Sequence, residues 1–331
     1  MPSTDIGIDL GTATTSVYVK GKGVTITEPA VVAYDKDQKK IRAIGEEARA
    51  LIGHTPGNIM EIRPLKGGVI SDFVVIERMI RHYINRGLGH RGLLKPYIVI
   101  CVPSGVTDIE KRAVEEAAYQ AGARDVTLVK EPIAAALGAG LDIFRPCGNM
   151  IVNIGGGTTE IAVLSLGGIV AGNSLRFGGD SFDEAIVQYA REIHELFIGA
   201  QTAETIKKKI CVASRRAEHE HMEVRGRNIA TGLPKTISIT SDAMRAAVEK
   251  PLRQLVEAIT NVLASTPPDL TEDIMQRGIV LTGGGAILDG LEEAIERGTG
   301  VRATLAEDPI TAVARGTGAY LRAMTDFERT R

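Results

Sequence analysis

Eight residues, Asn153-Ile-Gly-Gly-Gly-Thr-Thr-Glu160, carry the densest chemical signal in the chain. An apolar run, Met150-Ile-Val152, leads in, and another, Ile161-Ala-Val-Leu164, leads out. The pattern reads as strand, tight turn, strand. Three consecutive glycines strip every Cβ from the bend, so backbone N–H groups there can approach an anion closely. Thr158 and Thr159 add hydroxyl donors beside them. Such a turn suits a phosphate, although by itself it reads equally well as an ordinary glycine hairpin.

A second copy separates the two readings. Ile8-Asp-Leu-Gly-Thr-Ala-Thr-Thr-Ser-Val-Tyr-Val19 aligns with residues 152–163 at a constant offset of 144. Gly11 falls on Gly155, Thr14 on Thr158, Thr15 on Thr159, Val17 on Ile161 and Val19 on Val163. The offset is far longer than a solenoid period of roughly 20–50 residues. It points to two related domains, each opening with a hairpin, that hold a polyphosphate from both sides. Asp9 lies just before the first turn, where a carboxylate can hold a Mg²⁺-bound water beside phosphates. Its counterpart in the second copy is Asn153. Thr282-Gly-Gly-Gly-Ala286 adds a third glycine turn at a strand-to-helix transition, a setting that favours phosphate.

Around these turns the chain has 331 residues, enough for about two domains. It is 44% apolar and 24% charged, as an ordinary globular protein is. A formal net charge of −2, no Trp and 4% aromatic residues give no basis for nucleic acid as a partner. Cys101, Cys147 and Cys211 are odd in number and widely spaced, so no disulfide framework is expected and a reducing cytosol fits. The first residues do not read as a signal peptide, and no apolar run approaches the ~18–20 residues of a membrane span.

The elements that must position the turns follow from periodicity and caps. Residues 5–20 form the first hairpin, with a third strand at 24–27. Residues 30–66 read as an insertion with its own small sheet. Ile76, Met79, Ile80, Tyr83 and Ile84 recur at helical spacing, which predicts a helix over 72–85. A strand at 97–102 leads to a capping box, Thr107-Asp-Ile-Glu110, and a helix ending near Gly122. A strand at 126–129 runs into Glu131-Pro-Ile-Ala-Ala-Ala136, with Pro132 placed for a first helical turn. The second half repeats the plan. Ser181-Phe-Asp-Glu184 reads as a capping box opening a helix to about residue 196, and 202–212 as a further helix. Strands at 222–229 and 235–240 form a second insertion, and 241–264 reads as one long helix kinked at Pro251. Strands at 278–282 and 301–305 and a helix at 310–324 close the chain. This is an α/β chain with partly parallel sheets.

Taken together, these features resemble the ATPase fold of actin, heat-shock chaperones and sugar kinases. Within it the chain resembles, over nearly its whole length, the MreB family of bacterial actins, the rod-shape-determining proteins. Carrying the resemblance are Ile8-Asp-Leu-Gly-Thr-Ala13, His54-Thr-Pro-Gly-Asn58, Ile62-Arg-Pro-Leu-Lys66, Glu131-Pro-Ile-Ala-Ala-Ala136, Gly155-Gly-Gly-Thr-Thr-Glu160, Val224-Arg-Gly-Arg-Asn228, Leu281-Thr-Gly-Gly-Gly285 and Ala306-Glu-Asp-Pro-Ile310. It implies a two-domain actin-like fold of duplicated ribonuclease-H-like α/β domains, each with a small inserted subdomain. Domain I would be 1–140 plus 315–331, with its subdomain at about 30–66. Domain II would be 141–314, with its subdomain at about 180–241.

The resemblance also assigns roles. Gly11, Thr12 and Ala13, with Gly155, Gly156, Gly157 and Thr158, would cradle the phosphates of ATP or ADP. Asp9 would organise Mg²⁺ through water. Glu131 would orient the attacking water, whereas on the residues alone it reads as an acid at a helix N-terminus. Glu204 and Lys207, one helical turn apart, would contact ribose and adenine; on the residues alone they read as an exposed ion pair. Gly283, Gly284, Gly285 and Ala286 would lie along the adenosine. The family has Asp where this chain has Asn153. An amide keeps the size and loses the charge, so weakened Mg²⁺ organisation and a slowed, weak ATPase are expected, with nucleotide binding kept.

Partners follow in the same way. The resemblance implies head-to-tail filaments, paired as two protofilaments, that are cytoplasmic and peripheral on the inner face of the cell membrane. It also implies membrane-embedded cell-shape and wall-synthesis proteins as partners. Leu93 and Leu94, in a loop with Arg86, Arg91 and Lys95, align with the family's membrane-insertion loop and would enter the lipid. Only four residues precede the first strand, so the anchor is expected to be weak per subunit and to gain by multivalency. A small-molecule kinase and a monomeric nucleotide switch of the same superfamily remain the alternatives.

Overall fold

The structure, a computed structural model, describes residues 5–51, 58–89, 95–215 and 220–329. Leu93, Leu94, Arg91, and the start of the His54-Thr-Pro-Gly-Asn58 motif lie outside the described residues.

The internal repeat is realised as two five-stranded sheets with the same order. In the first, Asp125–Lys130, Tyr97–Val102, Ile6–Leu10, Thr14–Val19 and Gly23–Pro29 lie side by side. In the second the order is Ala303–Leu305, Ile279–Thr282, Asn149–Ile154, Thr159–Ser165 and Gly168–Leu175. Each central strand is antiparallel to the hairpin strand that follows it and parallel to a later strand on its other side. Asp9 pairs with Ser16 and Cys101. Asn153 pairs with Glu160 and Thr282 in the same register.

The strands read as continuous apolar runs because both faces of each sheet are covered. Asn149–Ile154 and Thr159–Ser165 are buried at every position. One face of the first sheet packs on the helices Phe73–Leu88 and Asp108–Ala121, through residues such as Ile80, Tyr83, Val114 and Ala118. One face of the second packs on Gly179–His194, Glu249–Ala264 and Leu291–Thr299. Between the sheets lie Glu131–Gly138 and Ala312–Arg329, in a core that joins Tyr18, Val99 and Cys101 of one sheet to Ile151, Ala162 and Leu164 of the other. The small insertions carry separate three-stranded sheets. One comprises Lys40–Ile44, Val32–Asp35 and Ile59–Ile62, the other Leu196–Phe197, His221–Asn228 and Pro234–Thr240.

Several expectations are corrected. Residues 241–264 are two helices, Ser241–Ala247 and Glu249–Ala264, broken at Val248. Pro251 makes no kink; it occupies the first turn of the second helix, where its missing N–H has no intrahelical partner to lose. The helix expected from Ser181 begins at Gly179, and Ser181 Oγ accepts from the Gly178 N–H at 3.3 Å. It ends at His194 because Glu195 turns left-handed. Pro268–Arg277 is a helix that periodicity did not mark. The Thr107 capping box forms as expected.

Candidate functional site

The two hairpin turns meet at the floor of a cleft of about 910 Å³. Their contact depends on the glycines. A Cβ on Gly156 would stand 2.3 Å from the Ala13 Cβ, and one on Gly157 would stand 2.8 Å from the Thr12 Cγ2. The bare backbone thus lets one turn touch the other. The second turn is closed by Gly155 N–H to the Thr158 carbonyl at 2.8 Å. It is braced from behind by the start of the helix Gly179–His194. There the Gly179 and Asp180 N–H groups donate to the Gly155 and Gly156 carbonyls at 2.9 and 2.8 Å. Gly68 reaches the first turn from the side, its N–H donating to Thr12 Oγ1 at 3.4 Å.

Asp9, Glu131 and Asn153 converge beside the turns and all line the cleft. Asp9 and Asn153 come from equivalent positions on the two central strands, whereas Glu131 is the first residue of the helix between the sheets. Asn153 Nδ2 donates to Glu131 Oε1 at 2.6 Å, and its Oδ1 accepts from Thr282 Oγ1 at 3.0 Å. Burial pushes the Asp9 carboxyl up to about 7. Glu131 is held well above the carboxylate range, by burial first and then by the charges of Asp9 and Glu160, with the Asn153 hydrogen bond opposing. Glu160 is itself buried and raised, and it accepts from Ser104 N–H at 3.0 Å and from Ser174 Oγ. Among the described residues no lysine or arginine pairs with Asp9 or Glu131. A pocket of hard oxygen donors lacking a counter-charge fits a hydrated divalent cation.

At the other end of the cleft Glu204 and Lys207 do not pair with each other, so the plain reading of the two as an exposed ion pair does not hold. Lys207 Nζ donates to Asp183 Oδ2 at 2.8 Å and to the Gly179 carbonyl at 2.9 Å. Glu204 takes Lys208 Nζ at 2.6 Å, with Arg49 Nη2 at 3.7 Å. Burial pushes Glu204 up, but Lys208, Arg49 and Lys207 outweigh it and hold the carboxyl below its ordinary value. Both residues still line the cleft, as do Gly283, Gly284 and Gly285. Ala286 does not; it is buried in the core of the second half. The third glycine turn opens a single 3₁₀ turn, Gly284–Ile287, rather than an α-helix, so no extended helix N-terminus faces the ligand there.

Sequence reasoning therefore gathered Asp9, Gly11, Thr12, Ala13, Glu131, Asn153, Gly155, Gly156, Thr158, Glu204, Lys207 and Gly283 to Gly285 on one cleft. It placed Gly157 there too, whereas the structure sets it at the hairpin contact. It missed Asp183, Gly179 and Asp180. The signal that could have found them is the glycine pair of Phe177-Gly-Gly-Asp180, which spans the start of a helix.

The chain is similar to known proteins along its length. A family model described as MreB/Mbl protein matches residues 3–329. The cell shape-determining protein Mbl of Bacillus subtilis (strain 168) is 48% identical over 322 residues, 97% of this chain and 96% of the relative. The cell shape-determining protein MreB of Escherichia coli (strain K12) is 47% identical over 326 residues, 97% of this chain and 94% of the relative. The crystal structure of MreB 5 of Spiroplasma citri bound to AMPPNP superposes with a TM-score of 0.93 at 32% identity, covering 100% of this chain and 99% of that one. The duplicated actin-like fold implied by the sequence is the observed fold, and the chain belongs to the MreB/Mbl protein family.

Proposed function

We propose that this chain is an ATP-binding bacterial actin that assembles into filaments and helps to set cell shape. The observation that carries the reading is the pair of equivalent hairpins meeting beneath a cleft that holds Asp9 and Glu131. Relatives named for determining cell shape, and one crystallised with the ATP analogue AMPPNP, support it. The duplicate sheets and their separate insertions support division into domain I at 1–140 plus 315–331 and domain II at 141–314.

The two turns, residues 11–13 and 155–158, would cradle the phosphates, with backbone N–H groups other than that of Gly155 and the Thr12 and Thr158 hydroxyls as donors. Asp9 would hold Mg²⁺ through water, and Mg²⁺ when bound supplies positive charge against the phosphate oxygens. Glu131 Oε1 is fixed by Asn153, which leaves Oε2 to accept a hydrogen bond from an attacking water. Asn153 lacks the charge of an aspartate, so it would orient Glu131 while adding little to cation binding, and hydrolysis would be slow. Lys207, steadied by Asp183, and Glu204 would face the nucleoside. A filament requires heterologous, head-to-tail contacts, and the inner membrane face and membrane-embedded wall-synthesis proteins are the expected surroundings.

The test is sedimentation with ATP and Mg²⁺, with and without anionic vesicles, while phosphate release is followed. Pelleting that depends on nucleotide supports the filament. A protein that turns over ATP only when a small phosphoryl acceptor is added, and never pellets, is a kinase instead.

A further inference from the structure

We infer that Arg63, assisted by Arg49, forms a clasp across the cleft that sets how fast bound nucleotide leaves. The inference rests on the nucleotide reading above and names residues that this reading does not use.

Arg63 directly follows the last strand of the first insertion, Ile59–Ile62. Its Nη1 lies 3.3 Å from Asp180 Oδ2, 117 residues away, in the first turn of Gly179–His194. Its Nε donates to Glu61 Oε1 at 3.0 Å, so one guanidinium bridges its own strand and Asp180. Arg49, on the short helix Glu46–Leu51, approaches Glu204 on Ala200–Ile210. Both acceptors line the cleft, whereas both arginines belong to the opposite half. Asp180 also donates its own N–H to Gly156 of the second turn. Arg63 thus grips a residue that braces the phosphate turn, and Arg49 grips one placed at the nucleoside.

The position of these pairs decides their role. At the floor the halves are joined by the touching turns, by Ser104 N–H on buried Glu160, and by the two helices between the sheets. Arg63–Asp180 and Arg49–Glu204 bridge the two halves across the cleft, so opening that parts the halves there must break them. They are partly exposed, with side-chain exposures of 44% and 38% for Arg63 and Asp180. Exposed pairs are individually weak and are screened by salt. That suits contacts that must open in each cycle and still slow escape while closed.

The experiment measures release of a fluorescent ATP from the full-length chain with Mg²⁺, by stopped flow with excess unlabelled ATP, at low and high salt. Arg63→Ala and Asp180→Ala should each release about two- to fivefold faster. The double variant should be no faster than either single one, since both remove one interaction. High salt should speed release from the unaltered protein more than from Arg63→Ala, which keeps only the Arg49 pair. Arg63→Asp combined with Asp180→Arg should recover most of the slow release, and a thermal melt of each variant checks its fold. Release from Arg63→Ala at the unaltered rate, or additive effects in the double variant, overturns the clasp. Failure of the unaltered protein to retain fluorescent ATP overturns the nucleotide reading and the clasp with it; normal retention with unchanged release overturns the clasp alone.

Discussion

Asn153 Nδ2 donates to Glu131 Oε1 at 2.6 Å, so an amide from the second sheet holds the candidate water-orienting carboxylate at the start of the helix between the sheets. The contact makes Asn153 more than a neutral counterpart of Asp9. It gives Glu131 a donor that a carboxylate could not provide.

Asn153→Asp should therefore act in opposite directions with and without ligand. In the empty cleft a second buried carboxyl would take the place of the amide that donates to Glu131, and burial beside Asp9 and Glu131 disfavours its ionised form. The variant should lose about 1–3 kcal/mol at neutral pH, with the deficit shrinking as pH falls and one group takes a proton. With Mg²⁺ and ATP it should release phosphate faster. Urea melts and a phosphate assay check both. A variant equally stable at neutral pH would show that the Asn153 contact is not needed.

Asp9, raised to about 7 by burial, should report cation binding through protons. A divalent cation favours the ionised form, so binding Mg²⁺ with nucleotide near pH 7 should expel about half a proton per site. Calorimetry in buffers of different ionisation enthalpy measures it. Asp9→Asn should abolish that release and the gain in nucleotide affinity from Mg²⁺. Unaltered proton release from the variant would place the titrating group elsewhere.

Asp183 is pushed up to about 6 by burial, against the pull of Lys207. The unfolded carboxyl titrates near ~3.9. Between these values the native protein keeps a proton that the unfolded chain has lost, so the Asp183 contribution to stability falls as pH rises from about 4 to about 6. Asp183→Asn removes this dependence. Relative to the unaltered protein, the variant should gain up to about 3 kcal/mol between pH 4 and pH 7. Parallel stability curves across that range would contradict it.

The helices between the sheets cross at two glycines. A Cβ on Gly138 would lie 1.7 Å from the Ala312 carbonyl oxygen, and one on Gly316 would lie 1.8 Å from the Ala134 carbonyl oxygen. Backbone cannot yield as a side chain can, so Gly316→Ala must push the helices apart. A loss of about 3 kcal/mol is expected, with reduced ATP turnover because Glu131 begins one of the two helices. A thermal melt matching the unaltered protein would show that the crossing has slack.

How much was legible in the residues divides along physical lines. The 144-residue offset foretold two equivalent hairpins because local pattern and turn chemistry are properties of short segments. The Thr107 cap, the apolar strands and the helix over Phe73–Leu88 were readable for the same reason. Pro251 misled because proline breaks a helix interior and is harmless in a first turn, and the distinction depends on where the chain bends at Val248.

The contacts that give the site its chemistry join segments that periodicity cannot relate. Lys207 chose Asp183 over Glu204 because packing of Ala200–Ile210 against Gly179–His194 aims its ammonium into a half-buried slot. Asn153 met Glu131, and Arg63 met Asp180, only once two sheets and their insertions had docked. Burial then raised Asp9 and Glu131, and desolvation is a property of the assembled interior rather than of any sequence window. The motifs thus specify which groups are brought to the cleft, and the packing specifies their partners and their charge.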